Sequence, residues 1–304
     1  MMENNPVINL TDFDYKFISS DDGGKKVEIK KYKGNAERVT IPATVKGEAI
    51  VSIGNAAFLG CEELTHVTIP EGITNIGDGA FSLCSGLTNV ILPTSITNIG
   101  RSAFLGCKRL TNFTIPAGVT EIGYGAFSLC SWLTVISIPD GVLSIGAEAF
   151  VGCERLTIIT IPESVTSIGE RAFENCTGLM SVDIPDTVTS IGERAFQNCS
   201  GLAGCTLPAG LTAVESSIFQ DCAELTGVTI PEGVTSIGGG AFNGCSKLGN
   251  VKIPDSVTYV GSNAFLGCTP GIASVTYKSV RYGSEKNSWG MTDMHPDFYT
   301  AVNG

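Results

Sequence analysis

Residues 230–252 read IPEGVTSIGGGAFNGCSKLGNVK, and nearly every other segment of the chain is a copy of this one. The copies keep a period of 23 residues: a Phe preceded by Ala, or by Ile in one repeat, recurs ten times from Phe58 to Phe265. Ten cysteines take the same step, from Cys61 to Cys268. A fixed period of about 20 to 50 residues marks a solenoid, because one unit of that size cannot bury its apolar face alone and must stack on its copies. Repetition therefore overrides a domain count based on length.

The 304 residues are 43% hydrophobic and 16% charged, too apolar for a disordered chain. No run approaches the ~18 to 20 apolar residues that a membrane span needs, so a soluble chain with no membrane insertion is expected. The opening MMENNPVINL has no basic start and no apolar stretch before a small-residue cleavage site, and is read as carrying no signal peptide. The formal charge is -11, and the basic residues form no stripe that could follow a phosphate backbone, so nucleic acid is excluded as a partner. Eleven cysteines are an odd number for a disulfide framework, and ten of them occupy one repeat position, which argues for buried free thiols. Cys205 replaces Val182 of the preceding strand and is read as a core residue too.

Three parts are expected. Residues 1–36 form an N-terminal capping hairpin, since Phe13, Tyr15 and Phe17 alternate with polar residues, as do Val27 and Ile29 beyond SSDDGG. Residues 37–277 form a solenoid of ten repeats, the first lengthened by five residues between Pro42 and Ile50 that belong in a surface turn. Residues 278–304 form a C-terminal cap, in which Pro296 starts a short helix that lays Phe298 and Val302 over the last repeat. Before it the register slips by one residue, so that Ile272, Val275 and Tyr277 continue the strand.

Within a regular unit the inward set is Ile69, Ile73, Ile76, Ala80, Phe81, Cys84, Leu87 and Val90, and its spacing changes along the way. The stretch 87–92 suits a strand that pairs in parallel with its copies about 4.8 Å away, and Pro93, which has no backbone donor, stops it. Residues 96–99 suit a second extended segment, followed by Gly100 as a turn residue. Ile99, Ala103, Phe104 and Cys107 have the spacing of one face of a short helix. The eighth repeat breaks this pattern, with Glu215 in place of Gly, Ile218 in place of Ala and Cys205 in its strand.

The unit IPxxVTSIGxxAFxxCxxLTxVx resembles the leucine-rich repeats of the bacterial BspA-like type over residues 39–277. That resemblance implies a β-rich α/β solenoid: a right-handed leucine-rich-repeat superhelix with a parallel concave sheet and short helical turns on the convex side. It also implies a surface or secreted protein of a host-associated bacterium that takes part in adhesion and protein binding.

Chemistry has little to build on. The two histidines, His66 and His295, read as an exposed strand residue and a cap residue, and no CxxC, HExxH, GxxxxGK or GxGxxG after a strand occurs. No enzyme, cofactor or metal is expected. Glu170-Arg171 and Glu193-Arg194 read as solvated charge on a helical convex face. The residue before each repeat's Leu is Arg109, Trp132 and Arg155 in three successive repeats, which places the two guanidinium groups in cation-π reach of the indole. Beside them Val135 and Ile158 take outward strand positions that other repeats give to Asn, Ser or Gly. The expected partner is a protein ligand on the concave face or its edge, bound by a monomer through Arg109, Trp132, Val135, Arg155 and Ile158, with Trp and Arg as the residue types most enriched at interface hot spots. Trp132 as a mere shield for the sheet edge, and a cytoplasmic structural or scaffolding protein, are the competing readings.

Overall fold

The computed structural model describes residues 10–19, 24–249, 251–268, 274–278, 280–286, 292–294 and 296–303. His295, Ile272 and parts of both expected caps therefore lie outside the described residues. The chain divides into two compact units, Met1–Val142 and Leu143–Gly304. Each is a β-solenoid of parallel ladders with very little helix.

In the first unit the inward residues make two ladders. One joins Arg38–Thr40, His66–Thr68 and Asn89–Ile91, with Val39, Val67 and Val90 in register. The pair Asn112–Thr114 and Val135–Ser137 has the same form. Each strand is only three residues long, because Pro follows two residues on and its nitrogen cannot donate to a ladder. The central residue points inward in each, although Val90 is only half-buried where Val67 and Phe113 are buried. The second ladder is narrower, two residues a strand at Asn75–Ile76 and Asn98–Ile99.

That second ladder is closed at its start by an antiparallel hairpin. Phe13–Ser19 pairs with Lys25–Tyr32, which in turn pairs in parallel with Glu48–Ile53. Phe13 and Tyr32 pack on the Phe58 ring, so the aromatic stack starts in the hairpin. The five extra residues of the first repeat make a second hairpin, with Thr44 opposite Ala49 and Val45 opposite Glu48. Lys46 and Gly47 both have positive φ, 53° and 84°, the backbone that a two-residue hairpin turn requires.

The second unit repeats the two ladders. Ile158–Thr160, Ser181–Asp183 and Gly204–Thr206 form one, and Ser144–Ile145, Ser167–Ile168 and Ser190–Ile191 the other. The first ladder lapses after Gly204: only an isolated bridge joins it to Gly227, and Val228 is half-buried. It resumes at Val251–Ile253, which pairs with Ser274–Tyr277 at a step of 24 rather than 23, Val251 facing Val275. Two antiparallel strands, Val280–Lys286 and Thr292–Met294, finish that sheet. The helix Pro296–Asn303 buries Phe298 and Val302, with Phe298 edge-on to Phe265 at 6.1 Å. Asn303 fastens its end by accepting from the Val260 amide at 2.7 Å and donating to the Val260 carbonyl at 2.8 Å.

The short helix expected in each repeat is not formed. Residues 101–106 are turns, and their amides alternate between two kinds of partner. Ala103, Leu105 and Cys107 donate to carbonyls three residues back, whereas Ser102, Phe104 and Gly106 donate to Tyr124, Ala126 and Ser128 of the next repeat. A helix would need every amide to donate four residues back. Positive φ at Ser102 (50°) and Gly106 (70°) turns alternate groups outward, so the segment acts as a third inter-repeat ladder. For the same reason Arg171 and Arg194 lie at left-handed turn positions, φ 55° and 57°, and not on a helical face.

The core is a column. Phe81, Phe104 and Phe127 stack at 5.4 and 5.5 Å with ring planes within 5° of parallel, and in the second unit Phe150, Phe173 and Phe196 stack at 5.3 and 5.2 Å with planes within 9°. Behind the rings, Cys84, Cys107 and Cys130 each donate the thiol proton to the carbonyl of the Phe 26 residues earlier. Gly100 permits this stacking. A Cβ on it would stand 2.6 Å from the Asp78 nitrogen and the Gly77 carbonyl carbon, so the position needs a glycine for close approach of the neighbouring turn.

Candidate protein-interaction surface

The outward residues of the three-residue strands are what the fold leaves free to vary. Inward positions are dictated by the column, while the first and third residues face solvent in the strands Asn112–Thr114, Val135–Ser137 and Ile158–Thr160.

In the first unit Trp132 lies in the turn before the strand Val135–Ser137, anchored by its amide to the Lys108 carbonyl at 3.1 Å and by the buried Leu133 beside it. Its side chain is 42% exposed. Arg109, one repeat earlier, sets its guanidinium carbon 5.8 Å from the indole centroid, within cation-π range. Val135 heads its strand and is 56% exposed, with Ile136 behind it turned into the core. Ile91, at the third position of its strand, is 54% exposed and adds an outward aliphatic side chain that the periodic reading passed over.

In the second unit Arg155 is an exposed turn residue before the buried Leu156, and Ile158 heads the next strand with 59% of its surface in solvent. Ile158 forms one wall of a cleft of about 530 Å³. Ser181, Thr160 and Thr206 also line it, with the apolar Ile161, Ile184 and Pro185 and three carboxylates, Glu163, Asp183 and Asp186. Asp186 is held in place by accepting the Ala209 amide at 2.9 Å. The signal for the cleft was in the sequence, since Asp183 takes an outward position that the strands on either side give to Thr160 and Thr206. Its meaning depends on the turns that bring Glu163 and Asp186 alongside.

Two other polar groups, His66 and Arg171, lie among close neighbours. His66 is half-buried rather than exposed, its Nδ1 2.9 Å from the Thr65 hydroxyl, and burial together with Arg38 on the adjoining strand holds its pKa below the ordinary value. Arg171 approaches three carboxylates, Glu170 at 3.4 Å, Glu174 at 3.6 Å and Glu148 at 3.8 Å, and is one-third exposed. Among the described residues no group of three or more His, Cys, Asp or Glu side chains could hold a metal ion. Among the described residues no helix is long and apolar enough to cross a membrane.

Stacked repeats of short parallel strands with a buried Leu, Phe and Cys column define a leucine-rich-repeat protein. The sequence matches the family described as BspA type Leucine rich repeat region (6 copies) over residues 31–157 and 143–271, and the chain belongs to that family. Among solved structures it is similar to a leucine rich cell surface protein from Faecalibacterium prausnitzii, 30% identical over 88% of this chain and 93% of that one, with a TM-score of 0.48. A leucine-rich repeat protein from Bacteroides ovatus is 27% identical over 91% of this chain and 90% of that one, with a TM-score of 0.49. The leucine rich repeat protein of T. pallidum is 26% identical over 79% and 90%, with a TM-score of 0.45. No curated protein matches the sequence.

Proposed function

We propose that this protein is a non-enzymatic recognition module for a protein partner, of the surface or secreted adhesion type, acting as a monomer. It binds through outward strand positions and the turn residues before them: Arg109, Trp132 and Val135 in the first unit, Arg155 and Ile158 in the second. Membership of a leucine-rich-repeat family supports protein binding as the general role.

The observation that carries the choice of residues is the exposure of Trp132, Val135 and Ile158 at positions where a solenoid gains nothing from large apolar groups. Exposed apolar residues grouped with arginine mark interaction surfaces, and Trp and Arg lead the hot-spot residue types. Capture of partners from host and bacterial extracts by the immobilised chain tests the reading, together with localisation of the protein in its own cell. A specific protein retained from host extract and a surface location are the expected results. A strictly cytoplasmic location would remove adhesion and leave a scaffolding role.

A further inference from the structure

The turn segments of the first unit carry an apolar stripe. Leu59, Leu83, Leu105 and Leu129 come one from each of four successive repeats, at the two positions between the column Phe and the column Cys. Leu59, Leu83 and Leu129 are exposed and Leu105 is half-buried. Backbone bonds hold these turns abreast: the Leu83 amide donates to the Leu105 carbonyl at 2.7 Å, and the Gly60 and Gly106 amides donate in the same way to Ser82 and Ser128. At the same two positions later repeats carry Glu174 and Asn175, Gln197 and Asn198, and Gln220 and Asp221, so the turn itself does not require leucine. Two of the four leucines are even held in a strained backbone. Leu83 and Leu129 both have a φ of 59°, in the left-handed region where Gly60, Gly106, Asn175 and Asn198 stand in other repeats and where a leucine is disfavoured. Leu83 leans on Gly106 of the next turn and is still 51% exposed.

We propose that this stripe docks one amphipathic α-helix of a partner protein, laid along the repeat direction, as an interaction surface additional to the outward strand residues. Exposed apolar side chains grouped in one stripe and kept at a conformational cost point to a contact outside the chain. The step between repeats selects the occupant. The rings of Phe58, Phe81, Phe104 and Phe127 climb by 4.8, 5.4 and 5.5 Å. An α-helix has a pitch of about 5.4 Å, so one apolar residue per helical turn meets one leucine per repeat. Same-face residues of an extended strand lie about 6.7 Å apart and fall out of step within four repeats. Charge narrows the partner further. Glu62 and Glu63 are exposed in the first of the four repeats, and Arg101 and Lys108, both exposed, stand on either side of Leu105 in the third. The complementary helix carries a basic residue over the first repeat and an acidic one about two turns, or roughly seven residues, further on.

Two displayed libraries of peptides about 18 residues long, one patterned as amphipathic helices and the other as alternating strands, test this against the native full chain. Selection is expected to enrich helical patterns with one apolar residue per turn. The enriched peptide should bind the Leu83→Asn/Leu129→Asn double variant at least about tenfold more weakly than wild type. Asparagine tolerates the left-handed backbone, so the double variant should melt no lower than wild type. Enrichment from the strand library alone, no enriched peptide from either library, or binding that survives in the double variant would overturn the proposal. A double variant that melts well below wild type, or fails to fold, would overturn it too, because the leucines would then be present to cover the neighbouring turns.

Discussion

Cys107 donates its thiol proton to the carbonyl oxygen of Phe81 at 3.2 Å, and the same bond recurs from Cys84 to Cys130. Each sulfur thus points at backbone and not at the next sulfur, and a disulfide between neighbours would have to break these bonds and turn both side chains. Burial holds the thiols protonated, with Cys176 pushed up to about 12. The melting temperature is therefore expected to be the same, within about a degree, with and without reductant. A fall of several degrees in reductant would mean structural disulfides.

Phe173 is fully buried between Phe150 at 5.3 Å and Phe196 at 5.2 Å. Phe173→Ala removes a ring from a column whose neighbours are fixed by backbone ladders and cannot close over the gap. A loss of about 3 to 5 kcal/mol in chemical denaturation is expected. A loss under about 1 kcal/mol would show that the ring stack contributes little.

Gly100→Ala tests why that position holds glycine. No positive φ demands it, but the neighbouring turn backbone occupies the space of a Cβ. Relief would require moving main chain in two repeats, so a cost of about 1 to 3 kcal/mol is expected, more than helix or turn propensity alone would give. Full stability in the alanine variant would refute the close-approach account.

The weak point of the second unit is expected around residues 205–229. Glu215 stands in the glycine column, Ile218 fills an alanine position in the core, and the first ladder shrinks to a single bridge between Gly204 and Gly227. Fewer ladder bonds leave fewer protected amides, so hydrogen exchange should open there before it opens around Ile158–Thr160 and Ser181–Asp183. Equal protection across the unit would contradict this.

Much of this fold could be read from the period. Inward residues such as Ile73, Phe81 and Leu87 recur because the column demands them, and all three are fully buried. The parallel register follows from the 23-residue step, as in Phe113 facing Ile136. The turn segment was misread because the spacing of Ile99, Ala103, Phe104 and Cys107 is the same for a helix and for a left-handed residue inserted among turns. Only the destination of the Phe104 amide, the Ala126 carbonyl of the next repeat, separates them. Outward positions are harder still. Exposure of Trp132 and Val135 follows from the period, as does the outward place of Asp183, whereas the cleft beside Ile158 also needs the turns that bring Glu163 and Asp186 alongside three strands.

The most direct measurement compares wild-type chain with Trp132→Ala and Ile158→Asn variants in capture from host and bacterial extracts, followed by affinity measurement on the retained protein. Both residues are outward and unburied, so circular dichroism and melting should match wild type. Each substitution is expected to weaken binding by about 2 kcal/mol, roughly thirtyfold in affinity. Unchanged affinity in both variants, with the fold intact, would contradict the placement of recognition on these outward residues.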